Sequence, residues 1–254
     1  MVGLILLEAQ NVTKLYGAYC ALNDVSFQLT DGEFVSIIGP NGAGKTTLVN
    51  IVTGLLRPTE GKVRFKGRDI AGVGAVHLAQ LGMARSFQLV NVFPDLTVAE
   101  MIAVSATSRL GRGARIMSSW RRDKDVERIV EEIAELFGLK RRLNERAGRL
   151  PQGDKKLIDI ASAFALRPEV ILMDEPTSGV STAEKNAVMD VMVSAAQAVG
   201  IKSIIQVEHD MDLVFNYSDR IIAVQQGRII ADTTPQLLRA DIDVMAAVTG
   251  IKVS

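Results

Sequence analysis

The segment Gly39–Thr46, GPNGAGKT, fits the spacing G-x-x-x-x-G-K-[ST] in full. That spacing serves the binding of a polyphosphate. Its glycines let successive backbone N–H groups converge on phosphate oxygens without side-chain obstruction. Lys45 supplies a point charge for the β- and γ-phosphates, and Thr46 offers its hydroxyl to Mg²⁺. The candidate nucleotide-binding residues here are Gly39, Asn41, Gly42, Ala43, Gly44, Lys45, Thr46 and Thr47. A phosphate loop alone leaves kinases, GTPases and motor ATPases open.

The segment VILMDEPTSG closes an apolar run with two adjacent acids, Asp174 and Glu175. Charges at the end of a buried strand are costly unless a metal or a reaction employs them. Asp174 is read as holding Mg²⁺, through water, and Glu175 as taking a proton from the water that attacks the γ-phosphate. The next strand-like run ends in VEHD. His209 there would lie at the same sheet edge as Glu175, where ligands bind in open α/β folds, and could bond the γ-phosphate or position the water. His77, the other histidine, has no such context.

A third segment, RLPQGDKKLIDIA, has the form of a helix start facing a phosphate. Pro151 stands where a hydroxyl would serve best and removes its own N–H. Asp154 is placed to cap the helix behind it, yet it brings a negative charge towards a phosphate.

These residues need a scaffold that holds strand ends beside helix starts. Leu4–Val12 and Val25–Leu29 read as strands separated by the turn-like YGAYCALND, and Phe34–Gly39 reads as a buried parallel strand. The helix TTLVNIVTGLL carries Leu48, Ile51, Val52 and Leu55 on one face, and GKVRFKGRDI reads as a hairpin strand. Thr97–Glu100 is a capping box. A second helix places Val126, Ile129, Val130, Ile133 and Phe137 on one face, with Gly138 at its C-terminal cap. Glu169–Asp174 and Lys202–His209 read as further strands, each preceded by a helix. The order predicts an α/β fold: a phosphate-loop core with a mainly parallel sheet, an N-terminal antiparallel β subdomain and an inserted α-helical subdomain. The core is expected over 1–89 and 155–230, the helical part over about 90–154 and a helical extension over about 234–254.

Composition narrows the classes. The 254 residues carry no net charge, which argues against a general nucleic-acid binder. Cys20 is the single cysteine, so no internal disulfide forms and a reducing compartment fits. Val2–Leu7 lacks a basic leader and meets Glu8 and Gln10 at once, so it reads as a first strand rather than a signal peptide. Apolar runs stay well short of the roughly 18 residues that span a bilayer. Between Arg109 and Lys124 the cations Arg109, Arg112, Arg115, Arg121, Arg122 and Lys124 face the single acid Asp123, with Trp120 among them. The stretch reads as a solvated loop or as a contact with membrane subunits or anionic headgroups.

Taken in order, GPNGAGKTTL, RSFQ, LPQGD, ILMDEPTSG and VEHD resemble the ATP-binding subunit of ABC transporters over essentially the whole chain. The resemblance implies a membrane-associated ATPase that uses ATP and Mg²⁺. It makes Tyr16 the adenine-stacking residue, with Tyr19 a neighbouring alternative. Gln88 becomes a switch glutamine sensing the γ-phosphate and Mg²⁺, and His209 the switch histidine. Leu150, Pro151, Gln152, Gly153 and Asp154 become the signature loop, which in this family serves the ATP of a partner packed head to tail. Ser178, Gly179, Val180 and Ser181 become the loop touching the opposite subunit. The segments GPNGAGKTT, SFQLVNVFPDLTVAEMI and VEHDMDLVFNYSDRIIAVQQGRIIADTTPQLL look like those of branched-chain amino-acid importers, larger ATPase subunit. This implies a second ATPase subunit in a heterodimer, two permease subunits, a substrate-binding protein and a place on the cytoplasmic face of the inner membrane. Urea and short-amide importers look much the same, and a lipid or lipopolysaccharide exporter subunit is the nearest transport alternative. A nucleotide-gated regulatory protein is disfavoured by an intact Glu175 and His209. DNA-repair ATPases of this superfamily carry long coiled coils, and translation ATPases carry two phosphate loops; neither feature occurs here.

Overall fold

The computed structural model describes residues 3–86, 93–112 and 120–250. The chain folds as two compact units, Met1–Leu81 with Lys202–Ser254, and Gly82–Ile201. These bounds differ from the division expected near 90 and 154, because two strands and two long helices group with the expected helical part.

The first unit opens with a long antiparallel hairpin, β1 (Ile5–Tyr16) and β2 (Tyr19–Thr30). The segment YGAYCALND is therefore mostly strand. Its turn shrinks to Gly17 and Ala18, with Tyr16 paired to Tyr19 and Gly17 at φ +59°. The polar residues that look turn-forming sit instead at register shifts in the ladder, where Asn11 and Asp24 take positive φ. The sheet continues through β4 (Glu60–Phe65) and β5 (Arg68–Asp69), in the order β2-β1-β4-β5.

The phosphate-loop strand β3 (Phe34–Ile38) lies between two parallel neighbours, β8 (Ser203–Val207) and β9 (Arg220–Gln225). Strand β10 (Arg228–Thr233) pairs antiparallel with β9. All five residues of β3 and of β8 are buried, as near-continuous runs in covered parallel sheets should be. Two polar residues in these runs are joined across the strands: Gln206 Nε2 donates to Ser36 Oγ at 2.8 Å. One guanidinium ties the strands together. Arg220 donates to both oxygens of Asp232 at 2.5 and 2.6 Å and to the Gln28 carbonyl at 2.9 Å. The hydrogen bonds to Asp232 raise the pKa of the Arg220 guanidinium.

Helix α1 (Lys45–Val52) buries Leu48, Val49, Ile51 and Val52. It stops at Gly54, at φ +67°, so Leu55 falls beyond it and is 44% exposed rather than on its apolar face. Helix α2 (Ala75–Leu81) carries His77. Helices α7 (Met211–Tyr217), α8 (Pro235–Ala240) and α9 (Ile242–Thr249) share a core cluster of Ile38, Val214, Ile221, Ala223, Leu238 and Val248.

In the second unit β6 (Met83–Ser86) runs parallel to β7 (Val170–Asp174). The capping box forms at α3 (Val98–Arg109): Thr97 Oγ1 accepts from the Glu100 N–H, and Glu100 Oε2 accepts from the Thr97 N–H. Helix α4 (Lys124–Leu136) buries Val126, Ile129, Val130 and Ile133. Phe137 follows, buried edge-on against Phe164 at 5.1 Å between ring centres, and Gly138 ends the run at φ +66°. Helices α5 (Gln152–Ala165) and α6 (Thr182–Val199) complete the unit.

The basic stretch is partly neutralised. Arg112 donates to both oxygens of Asp123 at 2.6 Å and to Asp125 at 3.1 Å. The hydrogen bond from Arg112 holds the Asp123 carboxyl below its ordinary pKa. Arg121 stacks over the Trp120 ring at 5.0 Å, while Arg115 lies outside the described residues. Among the described residues no helix is long and apolar enough to cross a membrane.

Candidate functional site

The first unit builds a phosphate cradle. Strand β3 delivers the chain to Gly39, and α1 begins at Lys45 with Gly44 as its N-cap, at φ +104°. No side chain caps that helix start. Its first N–H groups are thus open to an anion, and the helix dipole favours one. Lys45 Nζ donates to the carbonyls of Gly39 at 2.6 Å and Pro40 at 3.0 Å, so the loop wraps around its own lysine. Ala43 is buried and anchors the loop, its carbonyl accepting from the Gly227 N–H at 2.9 Å. Asn41, Gly42 and Thr46 are exposed, and Thr47 is half-buried.

His209 belongs to the same edge. Strands β3 and β8 are parallel with Ile37 opposite Val207, so Gly39 and His209 both follow neighbouring strand ends. The His209 side chain is 65% exposed, while the Glu208 carboxylate beside it is 1% exposed. Glu208 Oε2 accepts from the His209 N–H at 2.9 Å and lies 3.6 Å from His209 Nδ1. A buried carboxylate thus fixes the backbone under the histidine and leaves the ring at the surface. Tyr16 and Tyr19 flank the hairpin turn, 49% and 59% exposed, and Lys14 Nζ sits 5.3 Å from the Tyr16 ring centre.

The second unit carries the acids. Strand β7 is wholly buried and ends on Asp174, itself 4% exposed. Arg85 on β6 donates from Nη2 to Asp174 Oδ2 at 2.9 Å. Glu175 follows at φ +50°, a left-handed backbone rare for a long side chain. Such strain persists where surrounding contacts impose it and clusters at functional positions. Here Pro176 and Thr177 are buried, and the Ser178 N–H closes a turn onto the Glu175 carbonyl at 3.1 Å. Ser178 and Val180 are half-buried and Gly179 is exposed at φ +76°. Ser181 is the N-cap residue of α6, and its hydroxyl donates to Glu184 at 2.5 Å.

The signature segment differs from expectation at its acid. Asp154 does not cap α5; the N-cap residue is Pro151, with no side-chain hydrogen bond. Asp154 lies in the first turn instead, where Arg142 donates to its Oδ2 at 2.6 Å. An acid inside the first turn meets the positive end of the helix dipole. Its charge is therefore answered twice, by the helix and by Arg142. Leu150 anchors the loop at 4% exposure, while Pro151 and Gln152 are exposed. A Cβ on Gly153 would meet nothing within 4 Å, so the loop faces open space.

Gln88 lies outside the described residues. Among the described residues no group of three or more His, Cys, Asp or Glu could hold a metal by itself. Mg²⁺ does not require one: it is commonly held by one or two carboxylates, substrate phosphates and water. Asp174, with hard oxygen donors at the end of a buried strand, fits that use.

Arg85, Arg142 and Glu208 escape sequence reasoning as working residues. Arg85 and Glu208 lie within RSFQ and VEHD, where more familiar letters draw attention. Arg142 is one cation among several in GLKRRLNERAGR, and spacing does not say which of them meets Asp154.

Comparison with known proteins is consistent with this architecture. The family model described as ABC transporter matches residues 22–178. The chain is 34% identical over 252 residues to the high-affinity branched-chain amino acid transport ATP-binding protein LivG of Salmonella typhimurium, covering 96% of this chain and 98% of that protein. Among solved structures it is similar to the ADP conformation of an ATP-binding cassette of an ABC transporter, with a TM-score of 0.81 and 31% identity over 97% of this chain and 99% of that one. It is also similar to an ATP-binding cassette described as a dimeric post-hydrolysis state bound to ADP and Pi, with a TM-score of 0.76 and 27% identity over 91% and 99% of the two chains.

Proposed function

The chain belongs to the ABC transporter family of ATP-binding cassettes, nucleotide-binding ATPases, and from that premise we propose that it powers a membrane importer of branched-chain amino acids or related small polar solutes. The observation that carries the reading is the match to LivG, at 34% identity over nearly the full length of both chains. The expected assembly is two different ATPase subunits on two permease subunits, with a substrate-binding protein beyond them. This chain would sit peripherally on the cytoplasmic face of the inner membrane.

In this reading the Gly39–Thr46 cradle and Lys45 hold the phosphates of ATP, and Tyr16 stacks on the adenine. Thr46, Asp174 and Gln88 would hold Mg²⁺, which when bound supplies charge neutralisation on the β- and γ-phosphates. Glu175 accepts the proton of the attacking water. His209 donates a hydrogen bond to the γ-phosphate as charge builds there. The segment Leu150–Asp154 serves the nucleotide of the partner ATPase, and Ser178–Ser181 touches that partner.

The Arg142–Asp154 pair bears on the heterodimer. Pro151 takes a hydroxyl out of the partner's site, which weakens it. Asp154 adds less harm than its charge suggests, because Arg142 neutralises it. Replacing Arg142 by Ala is expected to lower turnover at the partner's site about three- to tenfold, as an uncompensated negative charge meets a phosphate. The double change Arg142→Ala/Asp154→Asn should recover most of the loss. Phosphate release from the mixed dimer measures both, and a double variant no better than the single one counts against this role.

The wider proposal is tested by ATPase rate against protein concentration, for this chain alone and mixed with the second ATPase subunit of its transporter. The mixture should be much faster, and Glu175→Gln in this chain should remove most of the rate. A fully active lone chain, its rate rising with the square of concentration, would show that LPQGD completes a site without a different partner.

A further inference from the structure

The second unit holds a cavity of about 570 Å³ that none of the residues read as nucleotide-binding lines. It is bordered by the C-terminal ends of α3 and α5 and by the first turns of α4. The capping box at Thr97 and the signature segment Leu150–Asp154 lie at the opposite ends of α3 and α5. The volume falls within the range of about 300–1,000 Å³ that small-molecule sites take.

Three guanidiniums line the cavity, those of Arg109, Arg128 and Arg167, against two carboxylates, Asp125 and Glu132. Asp125 is further shared with Arg112 at 3.1 Å, so the lining keeps an excess of positive charge. The cations are only partly engaged. Arg109 Nη1 donates to the carbonyls of Leu166 at 3.1 Å and Arg167 at 3.4 Å, which leaves its other nitrogens unbonded among the described residues. Arg128 Nη2 stands 3.7 Å from Asp125 Oδ1, beyond hydrogen-bond reach. Arg167 pairs with Glu132, while its Nε is buried without a hydrogen-bond partner among the described residues. Burial, and then the neighbouring Arg167, push the Arg109 guanidinium below its ordinary pKa. An anion would relieve such crowding. Arg167 also stands at φ +46°, directly after the C-cap residue of α5, a place that glycine usually takes. Glycine would end the helix without strain but would bring no guanidinium.

Two apolar side chains, Leu110 and Ile129, complete the wall. A guanidinium fork takes a carboxylate through two parallel hydrogen bonds. Three cations against two acids leave one charge to balance, which a carboxylate meets better than a phosphate dianion. We propose that this cavity is a binding site for a small aliphatic carboxylate, its charge held by Arg109, Arg128 and Arg167 and its chain against Leu110 and Ile129. The site stands independently of the ATPase reading.

The test is titration of the nucleotide-free full chain with 4-methylpentanoate, followed through the arginine side-chain nitrogen resonances. Saturable binding with a Kd on the order of 1 mM is expected for so small a ligand. The uncharged 4-methylpentanamide should bind at least about tenfold more weakly, and inorganic phosphate at least about fivefold more weakly. Arg128→Gln should weaken carboxylate binding about five- to tenfold. Its side chain is 76% exposed, so this variant keeps the fold. Arg109→Gln should weaken binding at least as much, at some cost to the end of α5. Arg141→Gln removes an exposed cation beyond the other end of α4 and should stay within about twofold of wild type. Absence of saturation below about 20 mM overturns the proposal, as does equal binding of the amide. Arg128→Gln without a loss, or with a loss no larger than that of Arg141→Gln, overturns it too. Phosphate binding as tightly as the carboxylate would overturn the ligand class and make the cavity a site for phosphate groups, free or on lipid headgroups.

Discussion

Replacing Glu175 by Gln is expected to reduce ATP turnover by about 10²–10⁴-fold while nucleotide binding stays near wild type. The amide matches the carboxylate in size but cannot accept the proton of the attacking water. The backbone adds a second argument. Glu175 sits at φ +50°, directly after the buried acid that closes β7. A left-handed backbone under a long side chain costs of order 1–3 kcal/mol. A position held in that state aims its side chain in a direction that regular strand geometry would not allow. The strain is carried by the backbone, so Glu175→Gln should keep both fold and pointing direction and lose only the chemistry. Phosphate release and equilibrium binding of ATP, measured on the same preparation, separate these effects. A variant hydrolysing within tenfold of wild type would remove Glu175 from the role of base.

Replacing Gly39 by Ala is expected to destabilise the chain by about 2–6 kcal/mol, combining backbone strain with overpacking. Gly39 lies at φ +150°, and a Cβ there would stand 2.1 Å from the Val224 carbonyl oxygen. That oxygen belongs to β9, the parallel neighbour of β3, and cannot move without breaking the ladder. Gly42 is the control. It is also at positive φ, at +79°, yet its Cβ would meet nothing within 4 Å. Gly42→Ala should therefore cost only the backbone term, about 1–2 kcal/mol. Urea midpoints at constant slope report the difference. If Gly39→Ala is no worse than Gly42→Ala, the contact with Val224 is not what demands a glycine.

Phosphate-loop spacing, the apolar runs of β3, β7 and β8 and the capping box at Thr97 could be read from the sequence because each depends on neighbours a few residues away. The turn expected at YGAYCALND is different in kind. Polar residues there sit in register shifts of a continuous hairpin, and alternation interrupted by a bulge reads as loop. Leu55 follows the apolar period of α1 but lies past the glycine that ends it. Asp154 was legible as an acid at a helix start; that its partner is Arg142 depends on how the short turn Lys140–Arg142 returns against α5, which local pattern does not encode. Arg85 was invisible for the same reason, since its partner lies on another strand. Pairs close in space and far apart in sequence are what single-chain reasoning misses, and here they surround the chemistry.

The two neighbours of β3 have a consequence for how the protein is made. Phe34 pairs with Ile204, and Val35 with Arg220. Ser36 and Gln206, joined by a hydrogen bond, are 170 residues apart. At a translation rate of about 5–20 residues per second, that interval lasts roughly 10–35 s. Throughout it the nascent chain carries an apolar strand with both edges open, the kind of segment that mispairs with other chains. Demand for a holding chaperone should peak in this window and end once β9 emerges. The phosphate loop is translated long before the two strands that flank its own.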